Sequence, residues 1–245
     1  MTSEIKTFKN HKIMFSDLIN SITQEQADKM ADKVNAYENE EERRHCFAML
    51  KQCGISERYL DCSFDNFSVT NQLEAAMKKT AIKFCEDIKA GKQRSLILYG
   101  NFGAGKTHLA TAILREMIFS VKNVVSDLKV HYTGNYVTVN EFVNQLQMSN
   151  WDRKSKDSLI KNATTSDVCV FDEMGRLANN RLSEPDVIFQ LIDSVYRNKK
   201  NIVLITNLNL AEIQNVIGKA GISRMRSDDG LIAFDCSGVK DHRKA

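Results

Sequence analysis

Residues 100–107 read Gly-Asn-Phe-Gly-Ala-Gly-Lys-Thr, a complete match to the phosphate-binding pattern G-x-x-x-x-G-K-[ST]. The apolar run Ser95-Leu-Ile-Leu-Tyr99 comes directly before it, and apolar residues recur at helical spacing after it. A strand, a glycine-rich turn and a helix N-terminus together point backbone N–H groups at the phosphates of a nucleotide. The stretch therefore predicts a P-loop that binds a nucleoside triphosphate.

Each position of this loop is a candidate nucleotide ligand. We expect the Lys106 side chain to reach the β- and γ-phosphates of ATP, and the Thr107 hydroxyl to coordinate Mg²⁺. ATP and Mg²⁺ are thus the predicted cofactors. The predicted nucleotide-binding residues are Gly100, Asn101, Phe102, Gly103, Ala104, Gly105, Lys106, Thr107 and His108.

The composition of the chain indicates its cellular location. No run approaches the roughly 18 apolar residues that a membrane helix needs, and the first residues lack the basic-then-apolar layout of a signal peptide. Six cysteines with no tight framework spacing, beside nine methionines, indicate reduced thiols, and we predict a cytoplasmic protein without membrane contacts. The net charge of +3 is too small to indicate nucleic-acid binding by itself.

Charge and glycine content divide the chain in two. Residues 1–66 carry a net charge of −3 and contain one glycine, Gly54, whereas residues 67–245 carry +6. In the acidic part, Phe15, Leu18, Ile19 and Ile22 form an apolar helical stripe, but large apolar side chains are too few for an independent core. We predict a small helical N-terminal region, residues 1–60, followed by an ATPase domain, residues 61–245.

The body of the chain alternates apolar, β-rich stretches with helical ones. The β-rich stretches are residues 95–99, 129–139, 167–172, 201–206 and 231–234, and helices are expected to start near Asn140 and Ser183. Apolar strands alternating with helices indicate a parallel sheet covered on both faces. The predicted fold class is therefore α/β, a P-loop NTPase sheet sandwiched by helices.

The acidic pair at the end of the run Val168-Cys-Val-Phe-Asp172-Glu173 is the second chemical signal. Such a strand end would place Asp172 beside the Mg²⁺ of a bound nucleotide and Glu173 where it can polarise the attacking water. The alternative is simply a strand that enters solvent.

Two further positions are candidate catalytic residues. Asn207 follows the run 201–206 and is expected to orient the attacking water or contact the γ-phosphate; the alternative is a loop asparagine that favours a turn. Arg224 follows a predicted helix, 211–216, and would act as an arginine finger on the nucleotide of a neighbouring subunit. The alternative is a surface arginine paired locally.

Four stretches, in this order, resemble the AAA+ ATPases of the DnaC/DnaI type, the replicative helicase loaders, which are related to the IstB transposition helper and the DnaA initiator. They are Gly105-Lys-Thr-His-Leu-Ala110, Val170-Phe-Asp-Glu-Met-Gly175, Ile205-Thr-Asn207 and Ser223-Arg-Met-Arg226. Residues 54–55 and 62–67 are similar to the segment that leads into the AAA+ fold in this family. The resemblance covers about residues 54–235.

The resemblance implies partners as well as a fold. Residues 1–60 would bind a hexameric replicative helicase, and the ATPase domains would associate so that Arg224 meets a neighbour's nucleotide. Single-stranded DNA would contact Trp151, Arg153, Lys154 and Lys156, because an aromatic ring among cations suits base stacking and phosphate contact. The alternative for this cluster is a Trp packed at a helix end beside solvated lysines.

We therefore predict an ATP-dependent loader of the hexameric replicative helicase onto single-stranded DNA during replication initiation, with slow, switch-like hydrolysis. One alternative is an IstB-like transposition helper ATPase; another is a nucleotide-switched adaptor without significant hydrolysis, against which Glu173 argues. A zinc site at His45, Cys46, Cys53 and Cys62 is not expected, because the spacing lacks a C-x₂₋₄-C pair.

Overall fold

The computed structural model describes residues 40–125, 128–148, 153–175, 184–227 and 230–242. The chain divides into two compact units, Met1–Phe47 and Ala48–Ala245. Of the first unit, residues 40–47 are described, and they are helical. The predicted apolar stripe from Phe15 to Ile22 lies outside the described residues. The second unit starts before residue 61, and the division of roles between 1–60 and 61–245 stays a prediction.

The second unit alternates helices with strands. Residues 48–52 are helical, and a short 3₁₀ helix, Glu57–Tyr59, follows. The later elements are α1 (Gln72–Lys89), β1 (Ser95–Tyr99), α2 (Lys106–Phe119), β2 (Val121–Val125), β3 (Leu128–His131), β4 (Gly134–Thr138), α3 (Val139–Met148), α4 (Arg153–Thr164), β5 (Val168–Met174), α5 (Glu184–Arg197), β6 (Asn201–Thr206), α6 (Leu210–Met225) and β7 (Leu231–Asp235).

The central sheet has five parallel strands in the order β4-β5-β6-β1-β7. β1 lies in the interior, with Leu96 opposite Val203 of β6 on one side and Ile232 of β7 on the other. The strands β1 and β6 are runs of Ile, Leu and Val because both faces of a parallel sheet are covered by helices. The predicted α/β fold with a sandwiched parallel sheet is confirmed.

Helices cover the two faces of this sheet. On one face, apolar side chains of α3, α5 and α6 pack with Ile97, Phe171 and Leu204 in a single buried cluster. On the other, α2 contacts β4, β5 and β6, and α1 packs on α2. α2 buries Leu109, Ile113 and Met117. Their spacing of four residues is the helical period that the sequence predicted.

The predicted β-rich stretch 129–139 is wrong as a single element. Its first part belongs to β3, which pairs with β2 in a separate antiparallel sheet, and its second part is β4 in the main sheet. Val139 already starts α3. Alternation of apolar residues does not reveal which sheet a strand joins, because both strands satisfy the same period.

Asp167 lies at the end of the sheet opposite the P-loop, where it binds residues from three neighbouring segments. Its carboxylate accepts hydrogen bonds from the Nζ atoms of Lys122 at 2.6 Å and Lys200 at 2.8 Å, and from the N–H of Thr133 at 3.0 Å. Burial alone would raise the pKa of Asp167, but these hydrogen bonds and charges lower it to about 2. The predicted strand start at Asp167 is one residue early, since β5 begins at Val168.

No helix among the described residues is long and apolar enough to cross a lipid bilayer.

Candidate active site

The P-loop connects β1 to α2 through three glycines in the left-handed region. Gly100, Gly103 and Gly105 have φ values of 103°, 74° and 81°, which glycine adopts at no steric cost. A Cβ added at Gly105 would also lie 2.7 Å from the Cε2 atom of Phe67. Both the turn and the close contact therefore require glycine, and the predicted strand–loop–helix arrangement is confirmed.

Lys106 is buried at the start of α2, with its amino group at the centre of the loop. Its Nζ donates hydrogen bonds to the carbonyl oxygens of Gly100 at 2.7 Å and Asn101 at 2.6 Å, and to the Oδ1 of Asn207 at 2.9 Å. A buried ammonium needs such acceptors. Anionic phosphate oxygens are stronger hydrogen-bond acceptors than these carbonyl oxygens. The phosphates of a nucleotide can therefore replace the carbonyl groups as partners of Lys106.

Asp172 lies next to Thr107, the other predicted Mg²⁺ ligand. The hydroxyl of Thr107 donates to the Oδ2 of Asp172 at 2.8 Å, and the N–H of Glu173 donates to its Oδ1 at 2.6 Å. The hydroxyl of Tyr136 also donates to Oδ2. Burial raises the pKa of Asp172, and the hydrogen bonds from Tyr136 and Thr107 oppose that rise.

The donor set of this pair fits magnesium. A hard cation such as Mg²⁺ takes oxygen ligands, commonly one or two carboxylates together with phosphate oxygens. Thr107 supplies a hydroxyl and the buried Asp172 a carboxylate, within hydrogen-bonding distance of each other and beside the P-loop lysine. These two residues would hold the metal of a bound nucleotide.

Glu173 has the backbone conformation of a strained residue. Its φ is +62°, a left-handed value that non-glycine residues adopt at a cost of about 1 kcal/mol or more. The pairing of β5 with β6 shifts register between Phe171 and Met174, around this residue. An irregularity of this kind re-aims a side chain at the end of a strand. Glu173 accordingly lines the cavity beside Asp172.

A cavity of about 390 Å³ runs along the P-loop, a volume typical of a small-ligand site. It is lined by Arg58, Tyr59, residues 102–108, Asp172, Glu173, Ile205, Asn207 and His242. Most of the predicted nucleotide, metal and catalytic residues therefore share one cavity. Gly100 and Asn101 contribute through their carbonyl groups to Lys106 instead.

Four residues that line the cavity were not predicted from the sequence: Arg58, Tyr59, Ile205 and His242. No pattern marks Arg58 or Tyr59, although both lie in the segment covered by the family resemblance. His242 follows the last strand; its N–H donates to the carbonyl of Gly103 at 3.2 Å, and its Nε2 lies 2.9 Å from a carboxylate oxygen of the fully buried Glu74. Contacts between distant parts of the chain place it at the P-loop.

His108 lines the cavity and also contacts the segment that precedes α1. Its Nε2 lies 2.9 Å from the carbonyl oxygen of Ser63, and its ring packs edge-on against Phe67 with centroids 5.3 Å apart. The segment that resembles the lead-in to the AAA+ fold therefore packs directly on the start of α2.

Arg224 lies in the last turn of α6, which extends beyond the predicted helix 211–216 and bends at Gly218. Its Nε donates to the Oδ1 of Asp193 at 2.5 Å, and its guanidinium stacks 4.7 Å from the centroid of Phe189. Arg224 is not among the residues that line the cavity. Within a single chain, Arg224 is thus a locally paired arginine, which was the alternative interpretation. An arginine finger would act on the nucleotide of a neighbouring subunit.

The structure describes part of the predicted DNA-binding cluster. Lys154 is exposed and Lys156 half-buried on α4, whereas Trp151 and the side chain of Arg153 lie outside the described residues. Lys154 lines an open cavity of about 460 Å³ that adjoins a second one of about 430 Å³, with Leu159 and Asn162 shared between them.

A five-stranded parallel sheet of this order, with a P-loop after β1 and an acidic pair at the end of β5, defines a P-loop NTPase of the AAA+ class. The chain belongs to the family of IstB-like ATP binding proteins, whose match spans residues 17–228.

Comparisons with individual proteins agree with this assignment. The replicative helicase loader DnaC of Buchnera aphidicola subsp. Schizaphis graminum is 27% identical over 187 residues, which cover 75% of this chain and 70% of that protein. The crystal structure of the DnaC helicase loader has a TM-score of 0.57 at 20% identity, over 76% of this chain and 100% of that one. The structure of the replication initiator DnaA bound to AMPPCP and single-stranded DNA has a TM-score of 0.54 at 17% identity, over 73% of this chain and 50% of that one. The predicted resemblance and AAA+ fold are confirmed.

Proposed function

We propose that this chain is an ATPase that loads a hexameric replicative helicase onto single-stranded DNA at replication initiation, in the cytoplasm. The observation that carries the proposal is the convergence of Lys106, Asp172 and Glu173 on one cavity, in a chain similar to a helicase loader named DnaC over three quarters of its length.

Binding of ATP begins at the P-loop. Phosphate oxygens would replace the carbonyl partners of Lys106, and the N-terminal end of α2 would face the same negative charge. Thr107 and Asp172 would hold Mg²⁺, which when bound neutralises charge on the phosphates. The residues of the chain thereby bind and orient the triphosphate before any bond is broken.

Hydrolysis requires a base and a water held in place. Glu173, half-exposed in the cavity, would accept a proton from the attacking water. Asn207, bonded to Lys106, would orient that water or contact the γ-phosphate. Because a loader acts as a switch, a slow turnover suffices for the role.

The helicase partner is assigned to residues 1–60. The acidic character of this region and its apolar stripe favour a protein–protein contact. In the full-length chain, Phe15→Asp combined with Ile19→Asp should abolish capture of the organism's replicative helicase while leaving ATP binding intact. Capture by this variant at the wild-type level would remove the assignment.

Single-stranded DNA is assigned to the surface of α4. The adjoining cavities beside Lys154 offer a cation, amide side chains and the apolar Leu159, a combination that suits phosphates and unstacked bases. Trp151→Ala should weaken single-strand binding, by about 1–3 kcal/mol if the ring stacks on a base. Nucleotide binding should not change, and unaltered DNA affinity would refute the assignment.

Self-association would bring Arg224 to the nucleotide of a neighbouring subunit. An arginine held by Asp193 and Phe189 is pre-oriented, which lowers the entropy lost when it meets an anion.

The family description favours a second candidate, an ATPase that assists transposition in the manner of IstB. The same capture experiment separates the two, because a transposition helper should retain a transposase and double-stranded DNA in place of the helicase. A nucleotide-switched adaptor would retain a partner but show no ATP turnover above a Glu173→Gln control.

A further inference from the structure

Tyr136 reaches the metal-binding carboxylate from the edge of the sheet. It lies on β4, opposite Val170 of β5 in the parallel register, and Thr138 two residues later lies opposite Asp172. The phenol extends along β5, and its hydroxyl donates a hydrogen bond to the Oδ2 of Asp172. This is the oxygen that also accepts the hydroxyl of Thr107.

The hydroxyl of Tyr136 is a hydrogen-bond donor at neutral pH, and it donates to the carboxylate of Asp172. A carboxylate oxygen accepts about two hydrogen bonds, and Thr107 and Tyr136 fill this capacity on Oδ2. The N–H of Glu173 occupies one position on Oδ1. The donors thus fix the orientation of the carboxylate on both oxygens.

Tyr136 is also held through its backbone. Its N–H donates to the carbonyl of Cys53 at 2.6 Å, and a Cβ added at Gly54 would lie 2.4 Å from its carbonyl oxygen. Gly54 has a φ of +93°. The turn formed by Cys53 and Gly54 therefore sets the position of Tyr136 on the edge strand.

We propose that Tyr136 is a positioning residue for the metal site, which keeps Asp172 aimed at a bound Mg²⁺, and that the turn of Cys53 and Gly54 fixes its place. The inference rests on the proposed nucleotide-dependent function. It adds a residue outside the P-loop and the acidic pair: when the Thr107 hydroxyl turns to a metal, the Tyr136 hydroxyl remains on Asp172.

Tyr136→Phe removes the hydroxyl and keeps the ring. Loss of a residue that orients a metal ligand typically costs 10–100-fold in metal affinity. In a titration of the full-length protein with a fluorescent ATP analogue, we expect the Mg²⁺ concentration at half-saturation to rise about 10-fold or more. Binding of the analogue in EDTA should remain that of the wild type.

Tyr132→Phe provides the matched control, because Tyr132 loses the same hydroxyl while its ring stays beside Lys122, 5.7 Å from the Nζ. Its Mg²⁺ midpoint should equal that of the wild type. A midpoint for Tyr136→Phe within twofold of the wild type would overturn the inference. So would an equal loss of analogue binding in EDTA, which would indicate a general structural role.

A second pair of variants tests the turn. Gly54→Ala should raise the Mg²⁺ midpoint in the same direction as Tyr136→Phe, because the added methyl displaces Tyr136. Gly91→Ala carries a similar backbone penalty, with φ of +81° and no atom within 4 Å of the added Cβ, and should leave the midpoint unchanged. Equal midpoints for the two variants would refute the role of the turn.

The result is separable from the proposed function itself. If the wild-type protein fails to bind the analogue with Mg²⁺, the nucleotide-dependent function fails. If the wild type binds it, Lys106→Ala abolishes binding and Tyr136→Phe matches the wild type, the role of Tyr136 alone is refuted.

Discussion

The Nζ of Lys106 lies 2.9 Å from the Oδ1 of Asn207, so the P-loop lysine is bonded directly to the residue that follows β6. The two residues are 101 positions apart, but β1 and β6 are parallel neighbours that end at the same edge of the sheet. Binding of a phosphate to Lys106 would therefore alter a hydrogen bond to the residue at the end of β6.

Replacing Asn207 should separate binding from hydrolysis. We expect Asn207→Ala to lower kcat on the order of 100-fold, as removal of a positioned polar group near a transition state does. ATP affinity should change much less, since Lys106 and the other P-loop residues that would bind the phosphates are unaltered. Steady-state ATPase kinetics with equilibrium nucleotide binding measure both. Asn215→Ala, at an exposed position of α6, is the control. A wild-type kcat for Asn207→Ala would exclude a role in turnover.

Replacing Glu173 should leave a protein that binds ATP but hydrolyses it poorly. Glu173→Gln keeps the shape of the side chain and removes the base, so turnover should fall by about 10²–10⁴-fold. Single-turnover hydrolysis of labelled ATP measures the loss, and Glu86→Gln on the exposed side of α1 should have no effect. Turnover at the wild-type level would show that another group activates the water.

The finger role of Arg224 has a signature in mixed assemblies. Arg224→Ala and Glu173→Gln should each be inactive alone, and their mixture should regain part of the wild-type turnover, because some interfaces then combine an intact Arg224 with an intact Glu173. The comparison variant is Arg197→Ala, whose guanidinium also pairs with Asp193, at 2.7 Å, but is largely exposed. It should retain activity. If no mixing ratio restores turnover, Arg224 does not act across an interface.

Asp167 should make the stability of the protein depend on acid pH. Its pKa is lowered to about 2 in the folded state, so its contribution is complete above the ordinary value near 4 and is lost as the pH falls from about 4 through 2. Asp167→Asn should lower the free energy of unfolding by roughly 2 kcal/mol at pH 7 and flatten its decline below pH 4. Denaturant unfolding at several pH values tests this. An unchanged acid slope in the variant would contradict it.

Local patterns predicted the parts of the site that lie on one stretch of chain. The P-loop fixes its own geometry through Gly100, Gly103 and Gly105, and the run ending at Asp172 needs only its apolar period to be recognised as a strand. Asn207 could also be predicted from the sequence, because it follows a strand and the carboxyl ends of parallel strands lie at the same edge of the sheet.

The remaining site residues depend on contacts that a sequence does not display. Tyr136 resembles any half-buried aromatic residue of a strand, and its role follows from the pairing of β4 with β5. His242 contacts the P-loop directly at the carbonyl of Gly103, and its ring lies beside the buried Glu74, 168 positions away. The two-stranded sheet of β2 and β3 was not predicted. Its Val124 and Leu128 are apolar, as in a buried strand of the main sheet, although both are exposed.

Helicase loading is measured most directly with the organism's purified replicative helicase and a circular single-stranded DNA. We expect the protein with ATP and Mg²⁺ to increase the amount of helicase encircling the DNA, and Lys106→Ala and the Phe15→Asp, Ile19→Asp variant to leave it unchanged. If the amount of DNA-bound helicase is the same with and without the wild-type protein, the protein is not a loader.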